Sequence, residues 1–169
     1  SLSRGAREAG CYMDTGEGGL SPYHLEGGCD IIMQMGTAKY GMRNHDGSLS
    51  AEKVKELAKV VKAFEIKLSQ GAKPGKGGVL PATKVTDEIA RIRGIPAGID
   101  SISPNRHPDI ADMATLLDRV AYVRDLTGRP VGIKTAIGGW ELINELCEQV
   151  LRRGLEYAPD FLVIDGGEG

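Results

Sequence analysis

The stretch 63-AFEIKLSQGAKPGKGG-78 decides the fold. Its first half alternates, with Phe64, Ile66 and Leu68 on one face and Glu65, Lys67 and Ser69 on the other, which is the period of a strand with one apolar and one polar side. It then runs straight into a loop that holds Gly71, Gly75, Gly77 and Gly78 together with Lys73 and Lys76. Glycines let the backbone turn tightly and bring its N–H groups close to a ligand, while the lysines supply charge. The loop reads as a cradle for a carboxylate or phosphate, against the alternative of a solvated turn with surface lysines. Lys67, pointing inward from the strand, is costly unless it meets an anion.

Working outward, further strand-like segments end near Met13 in 11-CYMD-14 and cover 30-DIIMQM-35, 99-IDSIS-103, 131-VGIKTAI-137 and 161-FLVID-165. Helical periodicity lies between them. In 51-AEKVKELAKVVKAF-64, Val54, Leu57, Ala58 and Val61 share one face. Helices are also predicted over 84-KVTDEIARIRG-94, 112-DMATLLDRVAYVRDLTG-128, with Asp112 and Gly128 as caps, and 140-WELINELCEQVLRRG-154. Strands alternating with helices predict parallel strands and an α/β class. Doubly wound sheets and closed barrels both satisfy that pattern. Glycine or polar clusters after almost every strand, and the lack of an early GxGxxG, favour a TIM (β/α)8 barrel. Such a barrel takes about 250 residues, whereas 169 residues supply about six strands. The expectation is an incomplete barrel domain over 1–169, with the C-terminal part (the last two strands) and the first strand outside it.

Composition narrows the function classes. Lys plus Arg number 21 against 23 Asp plus Glu, a net charge of −2, with no long run of either sign. This argues against a nucleic-acid partner. Apolar runs fall far short of a membrane span, and 1-SLSRGAREAGCYMD-14 has no signal core, so a cytoplasmic chain is expected. Cys11, Cys29 and Cys147 stand at no metal-ligand or redox spacing and read as reduced thiols. Glycine, at 24 residues, is about twice as frequent as the usual roughly 7% and gathers mostly after the strand-like runs.

Those loops hold the candidate site residues. Glu17 stands between glycines in 13-MDTGEGGLSPYHLEGG-28, either solvated or functional. Lys134, a cation among apolar neighbours, fits a buried ion pair or charge beside a cofactor ring such as a flavin. Gln34 can donate and accept at once, which suits a flavin edge or a backbone bond. His107 in 101-SISPNRHPDI-110 reads as a loop or subunit-contact residue rather than a general base. The segment 161-FLVIDGGEG-169 opens like a phosphate loop.

In this order, 15-TGEGG-19, 65-EIKLSQGAKPGKGG-78, 84-KVTDEIARIRG-94, 103-SPNRH-107, 133-IK-134 and 164-IDGGEG-169 closely resemble the FMN-binding domain of the glutamate synthase family, archaeal-type or stand-alone. The resemblance covers essentially the whole chain. It implies that Gln34 and Lys134 contact FMN and that Gly166, Gly167 and Gly169 begin its phosphate loop. It implies a catalytic role for Glu17 and Lys134, and that Lys67, Gln70 and Lys73 bind 2-oxoglutarate, with Glu17 at the same site.

The activity so implied is an oxidoreductase that joins ammonia to 2-oxoglutarate and reduces the imine to L-glutamate. Ammonia would come from glutamine through an amidotransferase domain or subunit. Electrons would come from an NADPH-dependent reductase subunit or ferredoxin, with any iron–sulfur cluster held elsewhere, since the cysteines here lack the clustered spacing and no metal site is expected. Two alternatives are the FMN subunit of methylamine–glutamate N-methyltransferase and a non-catalytic barrel fragment.

Overall fold

The computed structural model describes residues 2–72 and 75–168. Its centre is a five-stranded parallel sheet built from β1 (Met13–Asp14), β2 (Ile31–Met35), β3 (Ala63–Lys67), β6 (Val131–Thr135) and β7 (Leu162–Ile164). A separate antiparallel pair joins β4 (Gly78–Leu80) to β5 (Ser101–Ser103). The α-helices among the described residues are α1 (Leu2–Glu8), α2 (Pro22–Leu25), α3 (Ala51–Ala58), α4 (Asp87–Arg93), α5 (Met113–Thr127) and α6 (Glu141–Arg153).

Strand order in the main sheet follows chain order, β1-β2-β3-β6-β7, with no reversal. A doubly wound sheet reverses at a switch point, so each new strand here adds on the same side. The class is α/β.

Alternation sorts the two faces. Ile31, Met33 and Met35 of β2, Phe64 and Ile66 of β3, and Val131 and Ile133 of β6 are buried in one core with Val54 and Ala58 of α3, Leu116, Leu117, Val120 and Val123 of α5, and Leu146 of α6. The opposite face carries Gln34, Glu65, Lys67 and Lys134, aligned by the register Gln34↔Glu65 and Lys67↔Lys134. Thus the apolar stripe that makes the strands fold against helices also turns Gln34, Glu65, Lys67 and Lys134 to one side.

Helix ends follow local chemistry. Asp112 caps α5 by accepting from the Thr115 amide at 2.8 Å, and Gly128 closes it. The apolar period over 51–64 outlasts its helix: α3 stops at Ala58, and Val61 is buried in the turn before β3.

The expected sixth parallel strand, 99–103, is corrected. Ser101 and Ser103 are buried while Ile102 is 63% exposed, the reverse of a core strand. The Ser101 hydroxyl donates to Tyr40 Oη at 2.6 Å, and the segment pairs with β4, which emerges from the tail of the glycine-rich loop.

Gly132 lies opposite Glu65 on the polar face, where the Phe161 ring takes the side-chain space: a Cβ there would stand 2.2 Å from Phe161 Cε2. Gly132→Ala is therefore expected to cost about 1–3 kcal/mol, and Phe161→Leu in the same background should recover part of it. Thermal unfolding of the full-length protein checks both; an unchanged midpoint for Gly132→Ala would show that the ring moves freely.

Candidate active site

The polar face gathers side chains from four parallel strands at their C-terminal ends. Lys67 ends β3, and its Nζ donates to Glu17 Oε2 at 2.9 Å and Gln70 Oε1 at 2.6 Å. Glu17 comes from the loop after β1, and Gln70 opens the glycine-rich loop. Beside them, Lys134 Nζ stands 3.0 Å from Asp165 Oδ1. The other oxygen, Asp165 Oδ2, accepts from the Gly71 amide at 2.8 Å. One carboxylate thus links the cation of β6 to the loop after β3.

That link brings two backbones together. A Cβ on Gly71 would lie 1.8 Å from the Gly166 carbonyl oxygen, so only glycine lets the loops after β3 and β7 meet there. The Ser69 and Thr135 hydroxyls lie 3.2 Å apart, and Ser69 Oγ accepts from the Ala136 amide at 2.9 Å.

Deeper on the face, Gln34 Nε2 donates to Glu65 Oε1 at 2.7 Å and to Asp14 Oδ1 at 3.3 Å. Asp14 Oδ1 also accepts from the Gly16 amide at 2.7 Å, whereas Asp14 Oδ2 is buried without a hydrogen-bond partner among the described residues. Burial raises the Asp14 carboxyl above its ordinary pKa, against the Gly16 amide and the pull of Lys134. Glu65 is raised by burial and then by the charge on Asp14, against the Gln34 bond and both lysines. Asp165 is lowered, first by the Gly71 amide and then by Lys134.

A cleft of about 40 Å³ opens beside this network, lined in part by Glu17, Lys67, Gln70, Lys76, Ser103 and Asn105. It has room for a few waters. Anything larger that reached Lys67 would displace Glu17 or Gln70. Such a cleft can take an anion, because Lys67 is held there by groups that can let go without unfolding a strand.

Of the residues singled out from sequence, Glu17, Gln34, Lys67, Gln70 and Lys134 come together on one face. Gly166 meets Gly71, and Gly167 stands in open space. Lys73 and Gly169 lie outside the described residues. Sequence reading passed over Asp14, Glu65 and Asp165 as functional candidates. Alternation had already set Glu65 on the side of Lys67; Asp14 and Asp165 end strands within quoted motifs, where glycines drew the attention. His107 is buried, 4% exposed, with Nε2 at 2.8 Å from the Lys67 carbonyl oxygen. Among the described residues, no group of three or more His, Cys, Asp or Glu is arranged to hold a metal ion. No helix among them is long and apolar enough to cross a membrane.

In α/β proteins, ligand sites lie at the C-terminal ends of the parallel strands, which is where this charged cluster stands. The profile of the conserved region in glutamate synthase matches residues 1–169. The chain is 43% identical over 172 residues to the glutamate synthase large subunit-like protein YerD of Bacillus subtilis, covering all of this chain and 32% of that protein. It is 36% identical over 171 residues to the archaeal-type glutamate synthase [NADPH] of Thermotoga maritima, covering all of this chain and 30% of that protein. It is 38% identical over 138 residues to the archaeal glutamate synthase [NADPH] of Methanocaldococcus jannaschii, covering 80% of this chain and 25% of that protein. The chain therefore belongs to the glutamate synthase family, a family of oxidoreductases, and spans about a third of the length of these relatives.

The raised carboxyls give a pH signature. A carboxyl whose folded pKa exceeds its unfolded one binds more protons when folded, so stability falls as pH rises from the ordinary carboxylate range through the folded value. Glu65→Gln, which keeps an acceptor for Gln34, should raise thermal stability at neutral pH. That advantage should shrink as pH falls through the raised folded value and be gone once pH reaches the ordinary carboxylate range. Melting curves against pH check this; a deficit that grows as pH rises would show instead that Glu65 is needed as a charge.

Proposed function

We propose that this chain forms part of an FMN-binding (β/α)8 barrel in a glutamate synthase-type oxidoreductase, which reductively aminates 2-oxoglutarate to L-glutamate. The observation that carries the reading is the pairing of Lys67 and Lys134 across β3 and β6, each held by an acid from a loop at the strand C-termini. The chain-order sheet supports the barrel.

The residues on the polar face suit a flavin. Lys134 offers a fixed positive charge, and the Gly71–Gly166 approach leaves backbone open where a side chain would fill the space. Gln34 supports the face from beneath by tying Asp14 to Glu65, and its role toward the ring is to hold that floor rigid. Gly166, Gly167 and Gly169 belong to the start of the phosphate loop. Reduced FMN, when bound, supplies the hydride that ends on C2 of the imine.

The substrate chemistry falls to the chain's own side chains. Lys67 pairs with a carboxylate of 2-oxoglutarate after Glu17 and Gln70 release it, and Lys73 adds charge at the same loop. Glu17, freed from Lys67, moves two protons in turn from the ammonia nitrogen to the C2 oxygen, which leaves as water, and then, reprotonated from solvent, gives one proton to the imine nitrogen as hydride reaches C2. Lys134 stabilises negative charge beside the substrate.

By this reading the full-length protein works with ammonia released from glutamine by an amidotransferase domain or subunit. An NADPH-dependent reductase subunit or ferredoxin supplies electrons through an iron–sulfur cluster held outside this chain. The NADPH in the names of the Thermotoga and Methanocaldococcus relatives favours the reductase.

The experiment is an absorbance titration of the full-length protein with FMN, followed by anaerobic reduction and addition of substrates. Reoxidation that requires both 2-oxoglutarate and ammonium is expected, as is a loss of about 100-fold or more in its rate for Lys134→Ala. Lys67→Met should raise the 2-oxoglutarate concentration needed. Flavin binding without such reoxidation would overturn glutamate synthesis and favour amine transfer. Failure to bind flavin would overturn the reading altogether.

A further inference from the structure

Lys67 sits where the sheet stops supporting β3 on one side. The register of β2 with β3 ends at Met35↔Ile66, one residue short of Lys67, while β6 still pairs Lys134 with it. At this gap His107 enters from the segment after β5, with Nε2 2.8 Å from the Lys67 carbonyl oxygen. A carbonyl oxygen only accepts, so Nε2 carries the proton and Nδ1 is the bare nitrogen of a neutral ring.

The surroundings favour that one state. Nδ1 is buried and has no hydrogen-bond partner among the described residues, so a second proton there would be an unsatisfied donor. Around the ring stand Lys39, which follows β2, Asp109, and Arg119 of α5. Lys39 Nζ lies 3.0 Å and Arg119 Nη2 2.7 Å from the Asp109 carboxylate. Burial lowers the His107 pKa, and Lys39 and Arg119 lower it further, against the Lys67 carbonyl and Asp109. Burial also opposes ionisation of Asp109, yet its bonds to Arg119 and Lys39 hold that carboxyl down at about 2. Asp109 therefore stays ionised while the imidazole is pushed toward its neutral form.

We propose that His107 is a positioning residue for the candidate active site: as the neutral Nε2–H tautomer it donates to the Lys67 carbonyl and fixes the end of β3, and with it the ammonium that receives the substrate carboxylate. The same segment grips the site twice, since Thr37 after β2 donates to the Pro104 carbonyl at 2.7 Å. The proposal rests on the reading of Lys67 as the substrate-binding cation.

Two measurements on the full-length protein test it. His107→Ala removes the donor, whereas His107→Gln presents an amide N–H in its place. His107→Ala should raise KM for 2-oxoglutarate by about fivefold, the worth of one neutral hydrogen bond, with FMN content and kcat little changed; His107→Gln should stay within about twofold. An unchanged KM in the alanine variant, or equal damage by glutamine, would overturn the positioning role. The second measurement is ¹⁵N-histidine NMR, with the resonance identified by its loss in both variants. It should show an Nε2–H tautomer that persists below the ordinary histidine range. An Nδ1–H tautomer, or titration near about 6.5, would overturn the proposal whatever the kinetics show. If the wild-type protein does not use 2-oxoglutarate at all, the functional reading fails, and with it the positioning role.

Discussion

Two ammonium groups share one level of the sheet, Lys67 on β3 directly across from Lys134 on β6. If they stayed as close as their strands, about 5 Å apart, their repulsion would be on the order of 3 kcal/mol at an effective dielectric near 20. The fold relieves this by giving each cation its own acid from a different loop, Glu17 after β1 and Asp165 after β7. Those two ion pairs draw together the loops after β1, β3 and β7 around β6. Much of the arrangement at this end of the sheet follows: the contact of Gly71 with Gly166, the Asp165 bridge to the Gly71 amide, and the narrow cleft beside Lys67.

Beneath the lysines the same balance holds in the opposite sense. Asp14 and Glu65 are acids set into a partly dry face, and one amide, that of Gln34, serves both. Their proton affinity rises because burial outweighs the lysines, whereas Asp165, reached by a backbone amide and Lys134, moves the other way. Carboxyls with opposed tendencies on one face are what a site for proton movement requires. On the far side of the sheet, by contrast, Phe64, Ile66 and Ile133 carry no polar side-chain atoms, and Met33's sulfur accepts from the Thr15 hydroxyl.

The alternation in 63–69 predicted both the strand and the inward direction of Lys67, because a strand's period of two leaves no choice once one face is apolar. Capping chemistry gave the ends of α5 for the same reason: Asp112 and Gly128 act within a few residues of themselves. The reading of 99–103 as a parallel strand failed where that locality ends. Ser101 and Ser103 are buried because Tyr40, some sixty residues earlier, offers its hydroxyl, and nothing near them in the chain signals it. His107 is similar, an ordinary loop residue until the early end of β2 exposes the carbonyl it serves.

The sequence by itself determined the α/β class, the polar side of the strand over 63–69, the family and most of the residues that converge, since these depend on periodicity and on short motifs. Only the tertiary structure decided the pairings: that Glu17 answers Lys67 and Asp165 answers Lys134, that Gln34 joins two acids, and that five strands rather than six make the parallel sheet. The physical reason is range. Periodicity and capping act over a few residues, whereas an ion pair between residues 17 and 67 exists only after sheet register has brought distant loops within about 3 Å of each other.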